Sequence, residues 1–158
     1  MDVILSSQMQ SHGTACRSLA EKGIAMNSSY RSNALRNLRD ALASVDEREV
    51  VLLYAHRIEK LIYDIEQNQS LSFGYLHHRI TGLSSTPSGI NSSLKISGEE
   101  IHHDLRLLVE DLTEHVGLTA DEIVEPVYTV HSLSEHLKVS SKTISRWRNN
   151  GLVSRKIV

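Results

Sequence analysis

Cysteine is almost missing from this 158-residue chain: Cys16 stands alone, so neither an internal disulfide nor a thiolate metal cluster can form. That usage fits a reducing compartment. Aromatic residues are scarce too, with one Trp, one Phe and five Tyr, which makes any core chiefly aliphatic. No apolar run approaches the roughly 18 residues of a membrane-spanning helix, so no membrane span is expected. The short apolar stretch in Met1–Leu5 carries Asp2 and no basic residue, unlike a secretory signal. A cytoplasmic protein is the expectation.

Catalytic signatures are absent as well. The glycine-containing stretch 82–98 holds no Gly-x-Gly-x-x-Gly and no Gly-Lys-Ser/Thr, so no nucleotide site is indicated. The many serines show no strained turn, base and orienting acid of the kind that nucleophilic hydrolysis needs. His77-His78 and His102-His103 are the only histidine pairs. Neighbours on a helix point about 100° apart, so neither pair chelates well, even with Glu99, Glu100 and Asp104 close to the second. A solvated acidic helix face is the expected reading there. No enzyme activity, cofactor or metal is expected.

What is present is a charge asymmetry hidden by the average. The chain has 17 basic and 19 acidic residues, a formal net charge of -2. Residues 131–158 hold Lys138, Lys142, Arg146, Arg148, Arg155 and Lys156 against the single acid Glu135, which leaves the first 130 residues strongly acidic. A basic tail on an acidic body is the pattern of a small nucleic-acid module joined to another unit.

Along the chain, 1–32 read as loosely ordered, with a short helix around Ala15–Lys22. Residues 33–68 form an acidic helical region. Leu35, Leu38 and Leu42 predict one helix, and a second from about Asp46, its cap, to Asn68 continues through Val51, Tyr54, Ile58, Leu61, Ile62 and Ile65. These form either a hairpin turned at Ser44–Val45 or one long broken helix. Residues 69–98, rich in Ser, Gly and Thr and interrupted by Pro87, read as a flexible linker with one short helix at Phe73–Ile80. Residues 99–125 supply a helix and connector. Ile101, Leu105, Leu108, Leu112 and Val116 make one stripe on a helix that Gly117 closes, and Thr119 with Glu122 matches a capping box. The stripe either packs within its own bundle or pairs two copies as a homodimer through 99–116.

Residues 126–158 carry the functional signal. Thr129 caps a helix containing Leu133 and Leu137, Lys138–Ser140 turns with Val139 tucked in, and Ser140 or Ser141 caps a second helix ending near Gly151. Leu133, Leu137, Val139, Ile144, Trp147 and Leu152 are the expected core of this unit. Ser141, Lys142, Ser145, Arg146 and Asn149 then fall on other faces of the second helix, where Lys and Arg can donate to guanine and Ser to bases or phosphates. Arg148, Arg155 and Lys156 are expected as phosphate anchors. The β-prone stretch after Gly151 reads as the first strand of a wing.

This segment resembles the winged helix-turn-helix of MerR and excisionase type. The family's pattern falls on Tyr128 and Thr129, Val139 and Ser140, Thr143 and Ile144, Arg146 and Trp147, and Gly151, Leu152 and Val153. The wording from Val139 to Val158 is similar to the module ahead of the promoter-binding domains in sigma-70-like factors of planctomycete type. That resemblance implies transcription initiation, double-stranded DNA as partner and RNA polymerase core as a second. Nothing matches the sigma regions that touch promoter or polymerase, and the wing's second strand does not follow. The expectation is therefore an N-terminal piece of a longer protein or a truncated relative. The expected fold is mainly α, a helical N-terminal region followed by a truncated winged helix-turn-helix. Its expected work is non-catalytic, sequence-specific DNA binding in transcription. The alternative is a protein-interaction adaptor that docks on polymerase or another partner without reading DNA.

Overall fold

A computed structural model describes residues 2–5 and 29–158. The helix expected at Ala15–Lys22 lies outside them, as does most of the segment expected to be loosely ordered. The described residues are mainly helical. In chain order they form β1 (Asp2–Leu5), α1 (Asn33–Ala43), α2 (Arg48–Asp64), β2 (Ser70–Ser72), α3 (Phe73–Thr81), β3 (Lys95–Ser97), α4 (Gly98–His115), a 3-10 turn (Ala120–Glu122), β4 (Val127–Tyr128), α5 (Val130–Leu137), α6 (Ser141–Asn149) and β5 (Arg155–Lys156).

Helix α4 is the hub. It starts sharply because Ser97 and Glu100 form a capping box: Ser97 Oγ accepts from the Glu100 amide, and the Glu100 carboxylate accepts from the Ser97 amide. Glu99 and Glu100 also place negative charge at the positive end of the helix dipole. It ends at Gly117, whose φ of 63° is left-handed backbone that a side chain would strain. Between these ends, Ile101, Leu105, Leu108 and Leu112 are fully buried against Leu35, Leu38 and Leu42 of α1 and Val51, Ala55, Ile58 and Ile62 of α2. Helices α1 and α2 are separate, which settles the choice between two helices and one broken one. The second starts at Arg48, with Glu47 rather than Asp46 in the capping position and no side-chain cap bond.

Burial along α4 corrects two expectations. The Ile101–Val116 stripe is enclosed by the chain's own helices, so that stripe is not free to pair two copies. The supposed solvated acidic face is only partly so: His102, His103 and Asp104 are buried, while Glu99 stays exposed. Each of the buried three has structural work. Asp104 accepts the backbone amides of Arg31 and Ser32 at 2.8 and 2.7 Å and so anchors the start of α1. His102 Nε2 lies 2.7 Å from the Ile65 carbonyl and His103 Nε2 lies 3.0 Å from that of Ser29, so each ring donates through that nitrogen.

The stretch 69–98, expected as a flexible linker, is part of the core. Phe73, Leu76 and Ile80 on α3 are fully buried, and β2 pairs antiparallel with β3, bringing in Leu71 and Ile96. Serine and glycine marked the turns here, while a few apolar residues at helical spacing sufficed to fix the segment to α2 and α4. Ser72 caps α3, and Gly82 with φ 79° ends it. The second sheet is the larger surprise. Its order is β4-β1-β5, with both neighbours antiparallel to β1, so the N-terminal residues expected to be loose form the central strand.

Two outcomes follow. An ideal Cβ at Gly98 would sit 2.4 Å from the Glu66 carbonyl oxygen and 2.8 Å from that of Gln67. Backbone cannot yield as a flexible side chain does, so Gly98→Ala should destabilise by about 1–3 kcal/mol in urea unfolding; an unchanged midpoint would contradict this packing. Burial holds the His102 and His77 rings below their ordinary 6.5. The unfolded chain therefore binds these protons more readily, so this stability is complete above pH 6.5 and declines as pH falls beneath it. Urea midpoints at pH 7.5 and 5.5 should differ in that sense, and equal midpoints would exclude the linkage.

Candidate nucleic-acid interface

Local chemistry builds the α5–α6 pair. Thr129 Oγ1 accepts from the Ser132 amide at 3.1 Å, while Ser132 Oγ accepts from the Thr129 amide at 2.9 Å, and this closes the first turn of α5. Ser140 Oγ accepts from the Thr143 amide at 3.1 Å and opens α6. Between them Lys138 ends α5 with φ 54°, the one non-glycine residue with positive φ among those described. It is a strained turn position held by the helices on either side. Gly151, with φ 105°, releases the chain after α6.

The two helices close on a small core of Ile4, Leu133, Ile144 and Leu152, with Leu137, Val139, Trp147, Tyr128 and Val130 packed around it. All six core residues expected from sequence lie in this cluster. Ile4, from the opposite end of the chain, completes it.

Of the eight expected site residues, five gather on one side of α6. Ser141, Lys142 and Arg146 are exposed, and Ser145 and Asn149 half-buried. Their spacing of one, three, one and three residues traces a single helical face. Ser145 Oγ donates to the Ser141 carbonyl at 3.0 Å, so part of its hydrogen-bonding capacity is used within the helix. Among the described residues neither Lys142 nor Arg146 enters an ion pair.

The other three face the acidic helices, which corrects their reading as phosphate anchors. Arg148 is two positions beyond Arg146, about 200° around the helix, and so points inward. It is 7% exposed. Its Nη2 donates to Glu110 Oε1 at 2.8 Å and to Asp2 Oδ2 at 2.9 Å. Burial works against the charged guanidinium, but Glu110 and Asp2 outweigh it and hold the pKa above its ordinary value. Arg155 grips Glu59 with two nitrogens at 2.6 and 2.8 Å, a pairing that overcomes the same desolvation. Lys156 Nζ is 2.7 Å from Glu114, whose hydrogen bond raises its pKa. A count of cations along the tail could not separate the two faces.

Sequence reasoning also missed the residues that set the angle of α6. Glu110 Oε1 accepts from Arg106 at 3.0 Å, Arg148 at 2.8 Å and Ser154 at 2.6 Å. Arg106 and Glu110, four apart on α4, were the only visible hint. Here burial wins for Arg106, pushing its pKa down despite Glu110. The acidic body thus meets α6 from behind and leaves the Lys142–Arg146 side open to solvent.

The chain matches no family model, no curated protein and no solved structure.

The two faces should respond differently to mutation. Glu110→Ala strands the buried Arg106 guanidinium, leaves Arg148 with Asp2 as its remaining carboxylate, and should cost about 3–5 kcal/mol in chemical unfolding. Lys142→Ala and Arg146→Ala should stay within about 0.5 kcal/mol of the parent. Equal losses from the two sets would show that this division of α6 is wrong.

Proposed function

We propose that the chain binds double-stranded DNA through the exposed side of α6, as a helix-turn-helix module acting in transcription in a sigma-like or MerR-like context. The observation that carries this reading is the pair of cations Lys142 and Arg146. They are exposed, without ion-pair partners among the described residues, and share a face with Ser141, Ser145 and Asn149. A helix entering the major groove needs such a face: donors toward base edges on one side and apolar anchorage on the other. Ile144 and Trp147 give the anchorage. Lys138, exposed in the turn before α6, adds a third cation at the edge of the same surface.

The withdrawal of Arg148, Arg155 and Lys156 into the acidic body limits the binding strength. With about three cations available, the logarithm of affinity should fall with the logarithm of salt at a slope near -2 to -3. In place of a free wing, the three-stranded sheet packs on α5 and reaches α6 through Ile4 and the Asp2–Arg148 pair. The module in this reading is a rigid extension of the helical body, and that body orients the reading helix.

Fluorescence anisotropy of the full chain on duplex DNA across a salt series tests the proposal. The Lys142→Ala, Arg146→Ala chain should bind at least tenfold more weakly, with a slope shallower by about 2. No binding at low salt by folded protein would overturn it and leave docking on a protein partner as the better account of the same face.

A further inference from the structure

The slot between β4 and β5 is filled by a strand from the far end of the chain. β1 pairs Ile4 with Tyr128 and Leu5 with Val127 on one edge, and Asp2 with Lys156 and Val3 with Arg155 on the other. β4 and β5 are two residues each, and β1 is the element that joins them. The slot has a readable chemistry. Main-chain groups on both edges hold an extended segment, the Arg148 guanidinium takes a carboxylate at its first position, and the Leu133, Ile144 and Leu152 pocket takes an aliphatic side chain at its third. This is strand addition with alternate side chains read by separate pockets.

We propose that this slot is a strand-docking site whose occupant is exchangeable, and that it also receives the Asp2–Leu5 segment of a second copy, producing a strand-exchanged dimer. Residues 6–28 separate the strand from Ser29, a length that spans up to about 80 Å when extended, so covalent reach does not confine β1 to its own copy. The incoming segment remakes every contact the resident one loses, the condition under which exchange is a low-cost route to dimers. Charge complementarity selects the occupant: Asp2 meets a buried guanidinium whose Nε has no partner among the described residues. Each copy supplies the other's Asp2 and Ile4, so both two-helix units are completed in trans. Because exchange conserves contacts, the dimer competes only with the effective concentration of the tethered strand, on the order of millimolar.

The test uses two full-length chains, both with Cys16→Ser, one carrying Leu5→Cys and the other Val127→Cys. Directly opposed residues on antiparallel strands lie about 4.5–5.5 Å apart between Cα atoms, within disulfide reach. The chains are mixed near millimolar concentration under mild oxidation. A third chain carrying both cysteines reports closure within one copy, and Leu5→Cys mixed with His131→Cys reports random collision. Exchange predicts a mixed disulfide at least tenfold above the collision control, suppressed when Ile4→Asp is added to the Leu5→Cys chain. A yield no higher than that control, beside ready closure in the double-cysteine chain, overturns the proposal. Failure of the double-cysteine chain to close overturns it as well, because the strand pairing itself is then absent. Neither result depends on whether the protein binds DNA.

Discussion

The buried carboxylate of Glu110 is where the separate parts of this protein meet. One of its oxygens accepts hydrogen bonds from Arg106 on α4, Arg148 on α6 and Ser154 just ahead of β5. Through Arg148 it reaches Asp2 on β1. Helix α4, helix α6 and the approach to β5 thereby share one oxygen, and β1 joins them through Arg148. Such a cluster is a poor source of net stability, because two guanidinium groups and two carboxylates have lost most of their water. Its effect is orientation. An apolar contact tolerates sliding, whereas a carboxylate shared by fixed donors permits few arrangements, and the rotation of α6 about its own axis follows from it.

That rotation decides what α6 shows to solvent. With Arg148 drawn toward α4, Arg146 and Lys142 are turned away from the acidic helices, so the opposite charges of body and tail attract on one side of the helix alone. Arg155 on Glu59 and Lys156 on Glu114 extend the same seam along β5. The basic tail therefore divides into three cations that bind the body and three, Lys138, Lys142 and Arg146, that remain exposed. The proposed interface rests on this division.

The sheet beside the α5–α6 pair has an unusual dependence on chain topology. β4 and β5 are brought together by β1, and Ile4 fills the pocket between the two helices. Closing the longest loop in the molecule is thus a condition for completing its smallest core. Long-range pairings of this kind form late, after local helices have repaid part of the ordering entropy. The α5–α6 pair, by contrast, is closed by local side-chain caps and a short turn.

Residues read at short range carried most of what the sequence determined alone. The Leu and Ile spacing of α1, α2 and α4, the Thr129 and Ser140 caps, the left-handed glycines at 117 and 151, and the inward Leu133, Ile144 and Trp147 all act within one or two turns of helix, so pattern suffices to place them. The placement of five of the eight candidate residues on one face of α6 followed from the same periodicity. Tertiary structure decided the rest. Phe73, Leu76 and Ile80 sit in a serine-rich stretch that resembles a linker until α2 and α4 close over it. The stripe on α4 could have served a partner, and its own bundle covered it instead. Arg148, Arg155 and Lys156 look like free cations in a list of residues, and only folding brings Glu110, Glu59 and Glu114 within 3 Å of them. The reason is the range of the interaction: caps and periodicity are satisfied by neighbours in the chain, whereas a buried charge or a central strand needs partners that only the closed fold brings near.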